Sequence, residues 1–178
     1  VPFGVLITAT AALTVIFGGH ETSDFWVDAL KLWWLGVKDG LRHIHRLVMY
    51  LDNGPHNSGC RTQFLKRMIE FADWAGLEIR LVYYPPYHSK YNRIERCWGA
   101  LEKKWNGALL NSLKAILHWA LRMTWCGKHP TVKVLEGDYP DRVTVPPKER
   151  KKYEARLRRS ATLPKYDITI LPKRSRSG

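Results

Sequence analysis

An α/β fold is predicted by three features of the sequence. Arg46–Leu51 reads as a buried strand, and Leu77–Tyr83 as a strand with one more polar face. Between and after them, apolar residues recur at helical spacing, ending in a seam of Ile94, Trp98, Leu101 and Trp105. The order strand, helix, strand, helix implies a parallel pair with a right-handed crossover. That topology puts Asp52 and the loop before Glu95 at the same sheet edge.

From the amino terminus, residues 1–19 carry no charge, which raises a membrane span. A span needs about 20 apolar residues, and this run is broken by Pro2, Thr8, Thr10, Thr14 and Gly18-Gly19. Two short strands, Phe3–Ile7 and Leu13–Phe17, joined as a hairpin fit better. Thr22-Ser23-Asp24 is a helix start, followed by a seam of Trp26, Leu30, Trp33 and Val37; at that spacing the tryptophans read as core. A second helix is introduced by Ser58 and Gly59 and runs to Ala75. Phe64 or Leu65, Met68, Phe71 or Ala72, and Ala75 face inward, and Gly76 stops it. After Trp105 come a helix over Ser112–Trp125, burying Leu113, Ile116, Leu117 and Ala120, and a strand over Thr131–Leu135. Pro146–Arg159 reads as a short basic helix, and the last dozen residues as a mobile end.

Asp52 is the residue on which chemistry first suggests itself. It ends a strand and is followed by Asn53-Gly54-Pro55, a turn that no helix can enter. In open α/β sheets the carboxyl edge is where sites form; taken alone, though, Asp-Asn-Gly-Pro is also a plain turn. Glu95 enters from the second stretch, Tyr84-Pro-Pro-Tyr-His-Ser-Lys-Tyr-Asn-Arg-Ile-Glu95-Arg-Cys-Trp98. It lies about 100° round the helix from Ile94, beside the apolar seam. Gly99, one turn along, is expected to let a backbone approach the carboxylate closely.

Together these two stretches resemble the second Asp and the final Glu of a DDE transposase. The nearest likeness is to the insertion-sequence type of the ISAzo branch, related to the mariner group. The resemblance covers residues 1–140 and implies an RNase H-like mixed sheet flanked by helices, with 141–178 as a basic carboxyl-terminal extension. One position departs: the family has Asn-Pro-Ile-Glu where this chain has Arg93. Proline there would be a pre-set first helical residue, so Arg93 is expected to fray the helix start while leaving Glu95 in register. The family's first Asp belongs on a central strand upstream of the hairpin. The chain opens at Val1 without an initiator Met and reads as a fragment, so that strand, its acid and an amino-terminal helix-turn-helix region are expected to be missing. An exposed pairing edge should result. Asp24 and Asp28 fall on a helix and are poor replacements.

Composition agrees. Formal net charge is +13 and the isoelectric point about 9.9, which suits a polyanionic partner or an anionic membrane surface. From Arg142 onward, twelve Lys or Arg stand against three acids, so that stretch holds nine of the thirteen net charges. Its basic residues suit the DNA backbone or plain solvation. Three cysteines, Cys60, Cys97 and Cys126, show no Cys-x-x-Cys spacing, which favours a reduced, cytoplasmic setting over a disulfide framework.

The resemblance implies a chemistry. Asp52 would bridge two Mg²⁺ (or Mn²⁺) ions and Glu95 would hold one, with water first cutting a DNA strand and the freed 3′-hydroxyl then attacking target DNA. Partners would be the transposon ends, target DNA and further copies of the chain in a synaptic complex, with no membrane. Asn53 and Gly54 shape the turn; His56, His88 and Lys90 are candidates to meet phosphate or orient a water; Asn92 is a candidate cap for the Glu95 helix. Tyr83, Tyr84 and Tyr87 are placed either against the loop prolines or on splayed bases. With one acid missing, catalysis by this chain is expected to be impaired. Two other readings stay open: a non-catalytic, decayed or domesticated DNA-binding protein, and an RNase H-type nuclease that cuts without joining.

Overall fold

A computed structural model of the chain describes residues 1–85, 88, 91–107 and 112–173. In chain order its first elements are β1 (Pro2–Ile7), β2 (Ala12–Phe17), α1 (Ser23–Val37), β3 (Arg46–Leu51), α2 (Thr62–Ala75) and β4 (Glu78–Tyr83). The rest are α3 (Arg93–Trp105), α4 (Leu113–Arg122), β5 (Thr131–Val134), α5 (Pro147–Glu154), β6 (Leu157–Arg159) and β7 (Asp167–Ile170). Among the described residues the fold is mixed α/β, with two mixed sheets and five α-helices, consistent with the RNase H-like architecture expected. It divides into two compact units, residues 1–19 with 87–138, and residues 20–86 with 139–178.

The first unit is built on a sheet of order β1-β2-β5. The expected hairpin is present, with Phe3 opposite Ile16 and Leu6 opposite Leu13, and β5 lies parallel to β2. Leu13, Val15 and Phe17 share a core with Cys97 and Leu101 of α3, Ala120 of α4, and Met123. Burial pushes the Cys97 thiol up to about 11, so it stays an apolar packing group at neutral pH. Gly4 is where α3 meets the hairpin: a Cβ there would stand 2.6 Å from two Trp98 ring carbons and 2.9 Å from Ile94 Cδ1. The seam expected on α3 is therefore real but centred on Cys97 and Leu101, with Ile94, Trp98 and Trp105 partly buried beside them. On α4 only Ala120 is buried, and Leu113 is exposed where burial was expected.

The second unit carries the sheet β3-β4-β7-β6. The expected parallel pair is there, Leu47 opposite Ile79 and Leu51 opposite Tyr83. One face buries Leu51, Ile79, Leu81, Tyr83, Ile168 and Ile170. β3 is not the buried strand expected: it is an edge strand, and Val48 and Tyr50 are exposed. Alternating side chains on a strand at a sheet edge reach both faces, and only the Leu47, Met49, Leu51 face turns inward. Thr22 caps α1 by accepting from the Phe25 amide, and the helix buries Phe25, Val27, Ala29, Leu30, Trp33 and Trp34. That face is wider than the expected seam; Trp26 is only half-buried, packing edge-on against Phe64 of α2. α2 begins at Thr62, later than expected, because Gly54–Asn57 and Ser58–Arg61 form turns first. Gly76 ends it in the left-handed region (φ 66°), where a Cβ is strained.

The basic helix expected between Pro146 and Arg159 forms as α5. The mobile end expected over the last dozen residues is corrected at Asp167–Ile170. β7 pairs antiparallel with β4 and β6, and Ile168 and Ile170 are fully buried. Among the described residues, no helix is long and apolar enough to cross a membrane.

Candidate functional site

Asp52 follows β3 directly and is exposed, at the carboxyl end of the strand. Its Oδ1 accepts a hydrogen bond from Asn57 Nδ2 at 2.9 Å and a long one from the Gly54 amide at 3.4 Å. Asn53 between them sits at φ 60°, a left-handed conformation that Asn tolerates better than most residues. The turn is held from three sides. The Tyr83 hydroxyl, at the end of β4, donates to the Asn57 carbonyl at 2.7 Å. Burial pushes the Tyr83 phenol far up, so this hydroxyl keeps its proton. Ser23 Oγ donates to the His56 carbonyl at 2.7 Å and itself accepts from Arg61 Nε at 2.8 Å. The Tyr84 amide donates to the Leu51 carbonyl at 2.9 Å, tying the exits of β3 and β4 together.

Two buried polar atoms in this turn, His56 Nδ1 and Asn57 Oδ1, have no hydrogen-bond partner among the described residues. A Cβ built on Gly54 would lie 3.3 Å from Asn57 Oδ1 and 3.6 and 3.8 Å from the Asp52 oxygens. Three oxygens thus face the space that Gly54 leaves open.

Glu95 belongs to the other unit, in the first turn of α3 and half-buried. Asn92 caps the helix as anticipated: it is buried, its side chain accepts from the Ile94 amide, and its carbonyl accepts from the Glu95 amide at 3.1 Å. The helix starts at Arg93 without the family's proline. A carboxylate in the first turn is favoured by the free amides and dipole of a helix start. The close backbone approach expected at Gly99 is not seen among the described residues, where a Cβ at that position meets nothing within 4 Å. The His88 ring stacks on Tyr91, centroids 5.8 Å apart, and its carbonyl accepts from the Tyr91 amide. Lys90 and Tyr87 lie outside the described residues. Tyr83 is buried in the second unit, where its ring is in the core.

Asp24 and Asp28 on α1 are committed elsewhere. Arg67 of α2 reaches both, Gln63 donates to Asp24, and the Tyr139 hydroxyl donates to Asp28. Neither is free to stand in for a third site acid. Among the described residues, no group of three or more His, Cys, Asp or Glu side chains is arranged to hold a metal ion.

Asn57, Tyr83 and Ser23 do as much to fix Asp52 as the residues the sequence singled out. Their bonds span 26 to 33 positions, or in the case of Asn57 run back across the turn, and follow no local period. Residues 1–172 match a family model described as the Rhodopirellula transposase DDE domain. No curated protein and no solved structure matches the chain.

Proposed function

The chain belongs to the Rhodopirellula transposase DDE family, and from that premise we propose that it cuts DNA strands in a metal-dependent reaction and joins the freed 3′-hydroxyl to target DNA. A transposase-type function follows from the family, and with it DNA as the substrate class. In the finer reading Asp52 and Glu95 are the acids that hold the metal, and the observation that carries it is the construction around Asp52. An acid at the carboxyl end of a strand is oriented by a buried amide, beside an open space faced by further oxygen.

That donor set fits a hard divalent cation. Mg²⁺ and Mn²⁺ prefer carboxylate, carbonyl and water oxygen, and Mg²⁺ takes few carboxylates while keeping waters. Asn57 Oδ1, buried and lacking a donor among the described residues, is an atom that a coordinated water would satisfy. Asp52 and Glu95 would hold the ions, which when bound activate the attacking oxygen and stabilise the leaving one. The chain's own groups do the rest. The Asn57 amide fixes Asp52 Oδ1, the first turn of α3 carries Glu95, and exposed Lys148, Arg150, Lys151 and Lys152 on α5 offer contacts to phosphates. The working form is an oligomer that brings transposon ends and target together in the cytoplasm. Asp24 and Asp28, both bound to Arg67, take no part in this reading.

The test is nicking of supercoiled plasmid with and without Mg²⁺ or Mn²⁺, comparing the native chain with Asp52→Ala and Glu95→Ala. Metal-dependent nicking, lost in both variants, is the expected result. Nicking that survives both substitutions contradicts the assignment. DNA binding without nicking in any variant favours the non-catalytic reading, for which the basic α5 face would suffice. Nicking with no joining of a supplied 3′-hydroxyl end favours the nuclease.

A further inference from the structure

We propose that Asn57 is the positioning residue for Asp52, and that Gly54 is kept small so that a hydrated divalent cation fits between the Asp52 carboxylate and the Asn57 side-chain oxygen. This rests on the reading of Asp52 as a metal-holding acid and deepens it by giving Asn57 and Gly54 separate, separately testable parts in holding the cation. Asn57 is 8% exposed, yet it sits five residues past an exposed acid. Packing does not account for its amide group. Nδ2 donates to Asp52 Oδ1 at 2.9 Å, while Oδ1 is buried with no partner among the described residues. A buried acceptor without a donor is unfavourable, and a water bound to a cation at Asp52 would relieve it. The amide is held from behind, since the Asn57 carbonyl takes the Tyr83 hydroxyl and its own amide N–H donates to the Gly54 carbonyl at 3.3 Å. With its backbone fixed on both sides, the side chain has little freedom to turn away.

Gly54 supplies the second, independent observation. Its backbone is not in the left-handed region, so no conformational demand requires glycine there. What a side chain would do is enter the space faced by the three oxygens, at 3.3 to 3.8 Å from each. A methyl there takes no donor or acceptor from the turn; at 3.3 Å from Asn57 Oδ1 it asks that side chain to give by a few tenths of an ångström, and it occupies the space of a coordinated water.

Affinity for Mn²⁺ is read from the loss of the free-ion electron paramagnetic resonance signal, using the whole chain, with Asp52→Asn, Asn57→Ala and Gly54→Ala. Asp52→Asn should abolish binding at this site. Asn57→Ala and Gly54→Ala should each weaken it, Asn57→Ala by roughly 10- to 100-fold, the range for groups that orient a metal's ligands. In the native chain, Mg²⁺ should also shift the Asn57 side-chain amide resonance with the same midpoint as the backbone signals of Asp52. A purely structural asparagine would not follow the cation. If Asn57→Ala fails to fold, Gly54→Ala decides, because it removes no hydrogen-bonding group from the turn. Native affinity in Gly54→Ala, as a buried water alone would give, overturns the inference even where Asp52→Asn has lost the metal. Equal Mn²⁺ affinity in the native chain and Asp52→Asn overturns the metal role of Asp52 itself, and this inference with it.

Discussion

Gly4→Ala tests how α3, and with it Glu95, is held. The added methyl would begin 2.6 Å from Trp98 Cη2 and Cζ2 and 2.9 Å from Ile94 Cδ1. Ordinary carbon contacts lie at about 3.5–4.0 Å, so the indole must retreat by roughly 1 Å or the helix must lift from β1. Trp98 and Ile94 border a core whose centre, Cys97 and Leu101, is fully buried, so there is little slack beneath them. Overpacking of this kind costs about 1–3 kcal/mol. The assay is urea unfolding of the native chain, Gly4→Ala, Trp98→Leu and the double variant. Gly4→Ala should lose stability in that range, and the double variant should recover part of it, because a leucine side chain in place of the indole makes room for the methyl. Purely additive effects in this cycle, or a neutral Gly4→Ala, would refute the contact.

Two further predictions concern the stretch after Tyr139. Burial alone would raise the Asp73 carboxyl, but hydrogen bonds from Arg156 and the Lys173 amide, with the charge of Arg156, outweigh it and hold the group below the ordinary range. A depressed folded value contributes stability above the unfolded value of about 3.9, and that contribution is lost as pH falls through the folded one. Asp73→Asn should therefore cost about 1.5–3 kcal/mol at pH 7, with the gap to the native chain closing below about pH 4. Urea midpoints from pH 7 to 3 check this, and a gap independent of pH contradicts it. Replacing Lys148, Arg150, Lys151 and Lys152 of α5 with Gln should flatten the slope of log DNA affinity against log salt, by about 0.9 for each phosphate no longer neutralised. An unchanged slope would place the DNA-binding surface elsewhere.

The residues that were legible in the sequence act over short distances. Thr22 and Asn92 cap because their side-chain oxygens reach amides within the next turn, and Gly76 ends a helix because its φ suits few other residues. Asp52 was legible as the first polar residue after an apolar run, ahead of Asn53-Gly54-Pro55. What was hidden depends on long-range partners. β7 is four residues flanked by charge, and only its pairing with β4 explains Ile168 and Ile170. Tyr83 reads as a ring set against the loop prolines or on splayed bases until its hydroxyl is seen on Asn57, 26 positions away. The exposure of Val48 and Tyr50 depends on which strand stands at the sheet edge, which periodicity within β3 does not encode.

Whether one bound ion is shared by the two acids can be read directly from paramagnetic broadening in the whole chain. At a few per cent of Mn²⁺ per chain, the account predicts that backbone signals of residues 52–57 and of residues 93–96 broaden together, and that Mg²⁺ restores both. Broadening of one set while the other stays sharp would contradict a common metal site and the transfer chemistry built on it.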